Sequence, residues 1–365
     1  MRNILIVVPH LRKGGPIDVV YNLCRQIQKD GDYVIKLLTL RCEGKNSKME
    51  DFLNLGICIK QLNCSYLQCE LNQVAIRDRI QKIIDREKID IIHCHGYHSV
   101  LVCSKLVRVR KVSTLHNRAN EDFINVYGPV VGNYMLKRYF SALKRFDANI
   151  VVSKSAAEIY QIHIPNVRIV NNGIDTDRYF PINQTEKVQL RKKLRLPEDE
   201  TIWISTGRIE KEKRYEQLIE WFGQNLQAYD LILLILGDGS QLSHCKTIVK
   251  HNHQIVFTGR VSNVDQYLKC ADIYISNSKS EGMSMAVCEG ISCGLFPVLS
   301  DIPSHRDIAE ELGGILFCSV TDLDPEKILS IDIDARNKQY EYINRHFSMT
   351  AMGKGYLNYY NSLIS

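Results

Sequence analysis

Short apolar runs alternate with segments of helical period along this 365-residue chain, and that alternation limits the folds open to it more than any other feature. Residues 3–8 form the first run. Ile17, Val20, Tyr21, Cys24 and Ile27 then share one face of a predicted helix over 17–29, Gly31 stops it, and residues 33–40 are the next strand. This is a βαβ unit. Further runs lie at 90–94, 111–115, 148–152 and 167–170, and a second series at 201–206, 231–236, 255–257, 272–276 and 296–299. Strands this uniformly apolar are buried on both faces, which requires parallel pairing with helices covering the sheet. The predicted class is therefore α/β, with two doubly wound Rossmann-like domains, a division that the chain length also favours. The break falls between Asn172 and about Glu200, where the polar stretch 181–197 reads as a linker. Domains are expected at 1–178, joined by a terminal helix over about 347–365, and at 179–346. Tyr356, Tyr359, Tyr360 and Leu363 on that helix read as a core-packing stripe.

Composition excludes several classes. With 45% hydrophobic and 24% charged residues the chain is neither disordered nor collagenous. The apolar stretch 91–104 is broken by three histidines and a glycine, far short of the roughly 20 apolar residues of a spanning helix, so no bilayer crossing is expected. The first apolar run is too short for a signal-peptide core, and a cytosolic location is expected. Twelve cysteines are scattered without a CxxC, so they are expected to be reduced and buried. Residues 1–180 carry a net charge of +10 and residues 181–365 one of −4. The densest basic stretch holds Lys105, Arg108, Arg110, Lys111 and Arg118, then Lys137, Arg138, Lys144 and Arg145. These are either solvated helix faces or a patch for anionic lipid, where each basic residue adds about 1 kcal/mol near the surface. No spacing for nucleic-acid recognition occurs, and no nucleic-acid partner is expected.

Ligands of doubly wound sheets sit beyond the carboxyl ends of the strands. Polar or glycine residues end many strands here, which suggests a site in the cleft that the two domains are expected to face. Glu281 stands before a helix expected over about 284–293 and stopped by Gly294, and Glu289 lies more than one turn inside it. Its amino terminus is a natural anion site, Gly282 permits close backbone approach, and eight helical steps rotate the glutamates by only about 80° net. A capping residue and a surface charge are the simpler alternatives. Arg208 can fork onto phosphate oxygens and Lys213 adds a point charge, although both also lie in a charge run. Gly237-Asp238-Gly239 is either a plain turn or a ribose contact. Gly14-Gly15 is not GxGxxG, which counts against a nicotinamide or flavin enzyme.

Taken together, Arg208 with Lys213, Gly237-Asp238-Gly239, and Glu281 eight residues before Glu289 resemble the pattern of family 4 retaining glycosyltransferases of the GT-B fold. Gly14-Gly15, His93-Cys94-His95-Gly96, His116 and the stretch 170–175 fit the amino half of that pattern. The resemblance implies two Rossmann-like domains facing a central cleft, with the terminal helix crossing back to the first. The second domain would bind a nucleotide sugar, with UDP as its nucleotide, and the first a glycan acceptor. Glu281 would hold hydroxyls of the donor sugar and Glu289 its ribose. Arg208 and Lys213 would neutralise the diphosphate, Gly15 would approach the phosphates, and His116 would contact the sugar. Gly207, Gly237, Asp238, Val261, Gly282, Met283, Ser284 and Met285 would complete the donor site. Met283 and Ser284 stand where the family often has an aromatic residue and glycine.

No metal or other cofactor is expected, because the two cations and the helix end would carry the charge. Asp175-Thr176-Asp177 and Asp332-Ile333-Asp334 match the Asp-x-Asp string of metal-using transferases but read as structural. His93 and His95 share one strand face without further ligands. The expected function is hexosyl or N-acetylhexosaminyl transfer to a polyprenyl-diphosphate-linked or other glycan at an anionic membrane surface, in cell-surface polysaccharide synthesis. The alternatives are a sugar-nucleotide epimerase of the same fold and a non-catalytic sugar-nucleotide-binding subunit.

Overall fold

The computed structural model describes residues 1–227, 229–249, 252–330 and 336–364, so the Asp332-Ile333-Asp334 string lies outside the described residues. The chain forms two compact units, Met1–Gly173 with the segment from Met349 onward, and Ile174–Ser348. The first carries β1 (Arg2–Val8), β2 (Tyr33–Arg41), β3 (Cys58–Cys64), β4 (Ile91–His95), β5 (Arg110–Leu115), β6 (Ala148–Val151) and β7 (Val167–Ile169). They pair in the order β3-β2-β1-β4-β5-β6-β7, and every pairing is parallel. The second unit carries β8 (Thr201–Thr206), β9 (Leu231–Leu236), β10 (Ile255–Gly259), β11 (Ile273–Ser276), β12 (Phe296–Ser300) and β13 (Ile315–Phe317), ordered β10-β9-β8-β11-β12-β13 and again all parallel.

Burial follows the pleat. On β1, Leu5 and Val7 enter one core while Ile4, Ile6 and Val8 enter the other. On β9, Ile232, Leu234 and Leu236 face one layer and Leu231, Leu233 and Ile235 the opposite one. Two hydrophobic layers per sheet explain why these strands lack polar alternation. Fully burying one such side chain contributes about 1.5–3 kcal/mol.

The terminal helix Met349–Ile364 packs on Gly15–Asp30 of the first unit. Gly353 makes that approach possible, since a Cβ there would lie 2.6 Å from the Gln26 side chain. Tyr356 and Tyr360 are fully buried, and Tyr359 and Leu363 are partly buried against the same core. Their hydroxyls find partners, Tyr356 with Thr114 Oγ1 at 2.9 Å and Tyr360 with His93 Nδ1 at 2.7 Å.

Three expectations are corrected. Strands β3 and β13 were not read in the sequence. Both lie at sheet edges and are partly exposed; β3 is broken by polar residues, and β13 is an apolar run of only three residues. The stretch read as a linker contains a helix, Gln184–Leu194, begun by a reciprocal capping box between Asn183 and Glu186. Two of its basic residues are not solvated. Lys187 and Arg191 are buried and both pair with Asp272, and Arg191 also donates to the carbonyls of Cys270, Glu198 and Glu200. Finally, all twelve cysteines are free, but Cys42, Cys58 and Cys318 are exposed.

Removing one member of a buried charge cluster leaves the others uncompensated. Asp272→Ala should therefore lower the unfolding free energy by about 3–5 kcal/mol. Urea denaturation of the whole chain reads this, and a loss under 1 kcal/mol would contradict the role given to Asp272.

Candidate functional site

In the second unit two loops are laced together beyond the ends of β8 and β11. The chain leaves β8 at Thr206, makes a 3₁₀ turn at Lys211–Lys213, and enters the helix Tyr215–Asn225. Arg214, with φ 51°, sits at the joint and donates to the carbonyls of Asn277 and Ser278 at 2.7 and 3.1 Å. Asn277 Nδ2 donates back to the Arg214 carbonyl, and the Lys279 amide to that of Glu212 at 2.8 Å. This lacing brings Lys213 Nζ within 2.6 Å of Glu281 Oε1. Ser278 Oγ donates to the same carboxylate oxygen at 2.7 Å.

The Glu281 carboxyl is 12% exposed. Burial alone would raise its pKa, but the charge of Lys213 and the bonds from Lys213 and Ser278 hold it below the ordinary carboxylate value. His305 was not singled out in the sequence. It is fully buried, and its Nδ1 lies 2.9 Å from the Ser300 carbonyl. A carbonyl only accepts, so Nδ1 carries the proton and Nε2 is bare, with no hydrogen-bond partner among the described residues. Burial lowers its pKa.

The helix after this loop spans Met285–Ser292, and Gly294 beyond it has φ 82°. Ser284 at its start is buried, and its hydroxyl makes no cap bond to the first-turn amides of the helix. Gly290 lets the helix lie on the Tyr274 ring, which a Cβ would approach to 2.2 Å.

Glycines close the neighbouring strand ends. Gly207 and Gly237 have φ of 146° and 147°, and a Cβ on Gly237 would fall 1.8 Å from the Gly207 carbonyl oxygen. A Cβ on Gly239 would meet the Ile209 carbonyl at 2.4 Å. These glycines thus have a packing role whatever else they do. Asp238 between them is exposed and accepts from the Gly239 amide.

Not every predicted residue joins Lys213 and Glu281. Arg208 is 78% exposed, and its guanidinium lies 3.9 Å from Glu212. The cause is local, because Ile209 turns into the core and its neighbour therefore turns out. Glu289 is half-buried one helical stretch further on, where burial first and then its charge raise the pKa of Tyr179, while that of Arg178 is raised, against burial, chiefly by its bond to Asp265. Arg178 pairs with Asp265 and donates to the Ser262 carbonyl. Val261, Met283 and Met285 are half-buried against the same core, and Gly282 is half-buried in the loop. Asp175 of the first Asp-x-Asp string accepts backbone bonds from Arg178 and Tyr179, as a turn residue does.

The first unit has its own cavity, of about 330 Å³. His95, Tyr97, His116, Phe123 and Tyr139 line it, with Arg12, Lys13 and Gly14 on one side. His116 Nε2 lies 2.8 Å from His95 Nδ1. Burial lowers the His116 pKa to about 4 and holds that of His95 well below its usual value. Gly15 is exposed at the first position of its helix, and a Cβ there would meet nothing within 4 Å. His93 engages Thr114 and Tyr360, and among the described residues no three His, Cys, Asp or Glu side chains gather as metal ligands.

Comparison with known proteins agrees with this division. Residues 13–178 match the family described as Glycosyltransferase Family 4, and residues 186–328 that described as Glycosyl transferases group 1. The N-acetyl-alpha-D-glucosaminyl L-malate synthase of Bacillus anthracis is 27% identical over 68% of this chain and 66% of its own length. The O-antigen biosynthesis glycosyltransferase WclY of Escherichia coli is 23% identical over 76% of this chain and 80% of its own. A crystal structure of Anabaena Alr3699/HepE in complex with UDP superposes with a TM-score of 0.82 at 14% identity, covering 99% of this chain and 100% of that one.

Two outcomes follow from the geometry. Gly237→Ala should destabilise the second unit by about 3 kcal/mol or more, through both φ and the clash, and a thermal melt within 1 °C of the parent would contradict it. Because the Glu281 pKa is depressed, its pairing contributes stability that is present above the ordinary value of 4.5 and lost as pH falls through the lowered one. The stability gap between parent and Glu281→Gln in urea denaturation, about 1–3 kcal/mol at pH 7, should therefore shrink at pH 3.

Proposed function

We propose, for a chain that belongs to glycosyltransferase family 4 and has the two Rossmann-like domains of the GT-B fold, that it moves a hexose or N-acetylhexosamine from a nucleotide sugar to a lipid-linked glycan, with retention of configuration and without a metal. The observation that carries this reading is the group formed by Lys213, Glu281 and Ser278 beside the amino end of helix Met285–Ser292. A nucleotide sugar carries two negative phosphates next to a ring of hydroxyls. The ammonium and the helix amides suit the phosphates, and the carboxylate suits the hydroxyls.

In the transition state negative charge grows on the departing diphosphate and positive charge at the anomeric carbon. Groups already fixed before the donor arrives lose no reorganisation energy at that moment. Lys213 is such a group, held by Glu281 on laced backbone. Each charge-assisted hydrogen bond to the leaving group contributes about 1.5–3 kcal/mol. Arg208 would act differently, as a long exposed side chain that swings onto the phosphates after binding. Glu289, with Arg178 and Tyr179 around it, would take the ribose. UDP is the favoured nucleotide, supported by the UDP in the Anabaena structure.

Support for a lipid-linked acceptor at a membrane comes from the first unit and from the E. coli relative named for O-antigen biosynthesis. On the helix Ala119–Leu143, Val126, Val130, Val131 and Tyr134 are exposed, and Lys137, Lys144 and Arg145 are exposed on it or just beyond it. Apolar side chains interleaved with cations suit an anionic lipid surface on the cytoplasmic side. The basic patch is smaller than its sequence suggests, because Lys111 turns to the carbonyls of Ser104 and Leu106 and Arg138 pairs with Glu70. No helix among the described residues is long and apolar enough to cross a membrane.

Calorimetry against UDP-glucose, UDP-galactose, UDP-N-acetylglucosamine and GDP-mannose should yield binding of at least one UDP-sugar, unaffected by EDTA. Glu281→Ala and Glu289→Ala should each cut turnover at least a hundredfold while the fold survives, and a rate near the parent's in either would overturn the assignment. Vesicles with anionic lipid should retain the protein at low salt and release Val130→Glu, whereas equal retention of both would remove the membrane surface from the reading.

A further inference from the structure

Three polar atoms on the wall of the first unit's cavity are buried and have no hydrogen-bond partner among the described residues: His95 Nε2, His116 Nδ1 and the Tyr97 hydroxyl. The first two belong to rings that bond to each other through their remaining nitrogens, His95 Nδ1 and His116 Nε2, at 2.8 Å. The rings are 23° from parallel, close to the in-plane geometry such a bond needs. His95 itself is 2% exposed and lies against His93, 4.2 Å between centroids. His93 cannot rotate away, because Tyr360 and Thr114 hold its two nitrogens at 2.7 and 2.8 Å.

Proton counting then constrains the pair. Both rings are neutral, as their lowered pKa values require. Each therefore carries one proton, and one of the two protons occupies the bond between them. If His95 Nδ1 donates, His116 must carry its proton on Nδ1. If His116 Nε2 donates, His95 must carry its proton on Nε2. The two rings are thus in the same tautomer in either arrangement, both Nδ1–H or both Nε2–H. In either case one of the outward nitrogens is a donor and the other an acceptor. Each outward nitrogen therefore calls for a polar group of the opposite kind.

We propose that His95 is a positioning residue that ties the tautomer of His116 to its own, and that the locked pair presents His116 to a substrate in this cavity in a single protonation pattern. The last step rests on the glycosyl-transfer reading, whereas the tautomer lock does not. His93 and the terminal helix, through Tyr360, keep the His95 ring in place.

Long-range ¹H–¹⁵N spectra of the imidazole rings of the whole, ligand-free chain at pH 7 test the lock directly. The expected result is His95 and His116 in one and the same tautomer. Opposite tautomers, or a charged ring, would overturn the proposal. In His95→Leu the His116 signals should shift to those of a tautomer mixture, while His95→Asn, whose amide can still bond Nε2, should keep a single state. Unchanged His116 signals in His95→Leu would also overturn it. In turnover of whichever of the four nucleotide sugars is consumed, His95→Leu should lower kcat at least tenfold with KM within threefold, and His95→Asn should stay within threefold of the parent. Equal losses in the two variants would mean that His95 serves packing alone. The spectra need no substrate, so failure of the lock and failure of the glycosyl-transfer reading are separately visible.

Discussion

Strands such as β1 and β9 are covered by apolar side chains on both faces, and this leaves only their ends for chemistry. A polar group halfway along β9 or β1 would have to be desolvated without a partner, at a cost of a few kcal/mol. At the carboxyl ends the backbone leaves the sheet, water or ligand can reach it, and charged side chains become affordable. Lys213 and Glu281 sit just past β8 and β11, and His95 and His116 at or just past β4 and β5. The same constraint therefore places the two sets of groups, one in each unit.

The charged side chains buried in the second unit are tied down, but in different ways. Asp272 balances Lys187 and Arg191 and takes no part in the candidate site, so it anchors the helix Gln184–Leu194 to the sheet. Glu281 is held as firmly by Lys213 and Ser278, yet its partners stand at a loop and a helix end that remain open to an anion. The difference between a structural ion pair and a candidate binding pair is thus one of position. Chemically the two clusters are alike.

Legibility in the sequence tracks burial. The apolar runs of central strands such as β9 stand out because both faces are covered, whereas β3, at a sheet edge, carries polar residues and passes for loop, and β13 is only three residues long. The stretch 181–197 misleads for the opposite reason. Lys187 and Arg191 look solvated in the sequence, and only Asp272, more than eighty residues away, makes their burial tolerable. Glycine spacing marks Gly207, Gly237 and Gly239 as special without saying whether a ligand or another backbone comes close. The carbonyls of Gly207 and Ile209 supply that answer.

What the residues alone determined is the periodic pattern: two series of apolar strands crossed by helices, the parallel sheets that follow, and the strand ends on which chemistry is possible. They also marked Lys213, Glu281 and His116 as residues of interest. What only the tertiary structure decided is which of these side chains meet. Lys213 reaches Glu281 because Arg214 and Asn277 lace two loops together across more than sixty residues, while Arg208 points outward because Ile209 points inward. His116 acquires a partner in His95 because β4 and β5 are neighbours in the sheet. Pattern is local and survives in one dimension. Pairing depends on strand order and on the turns at strand ends, which no local stretch of the chain encodes by itself.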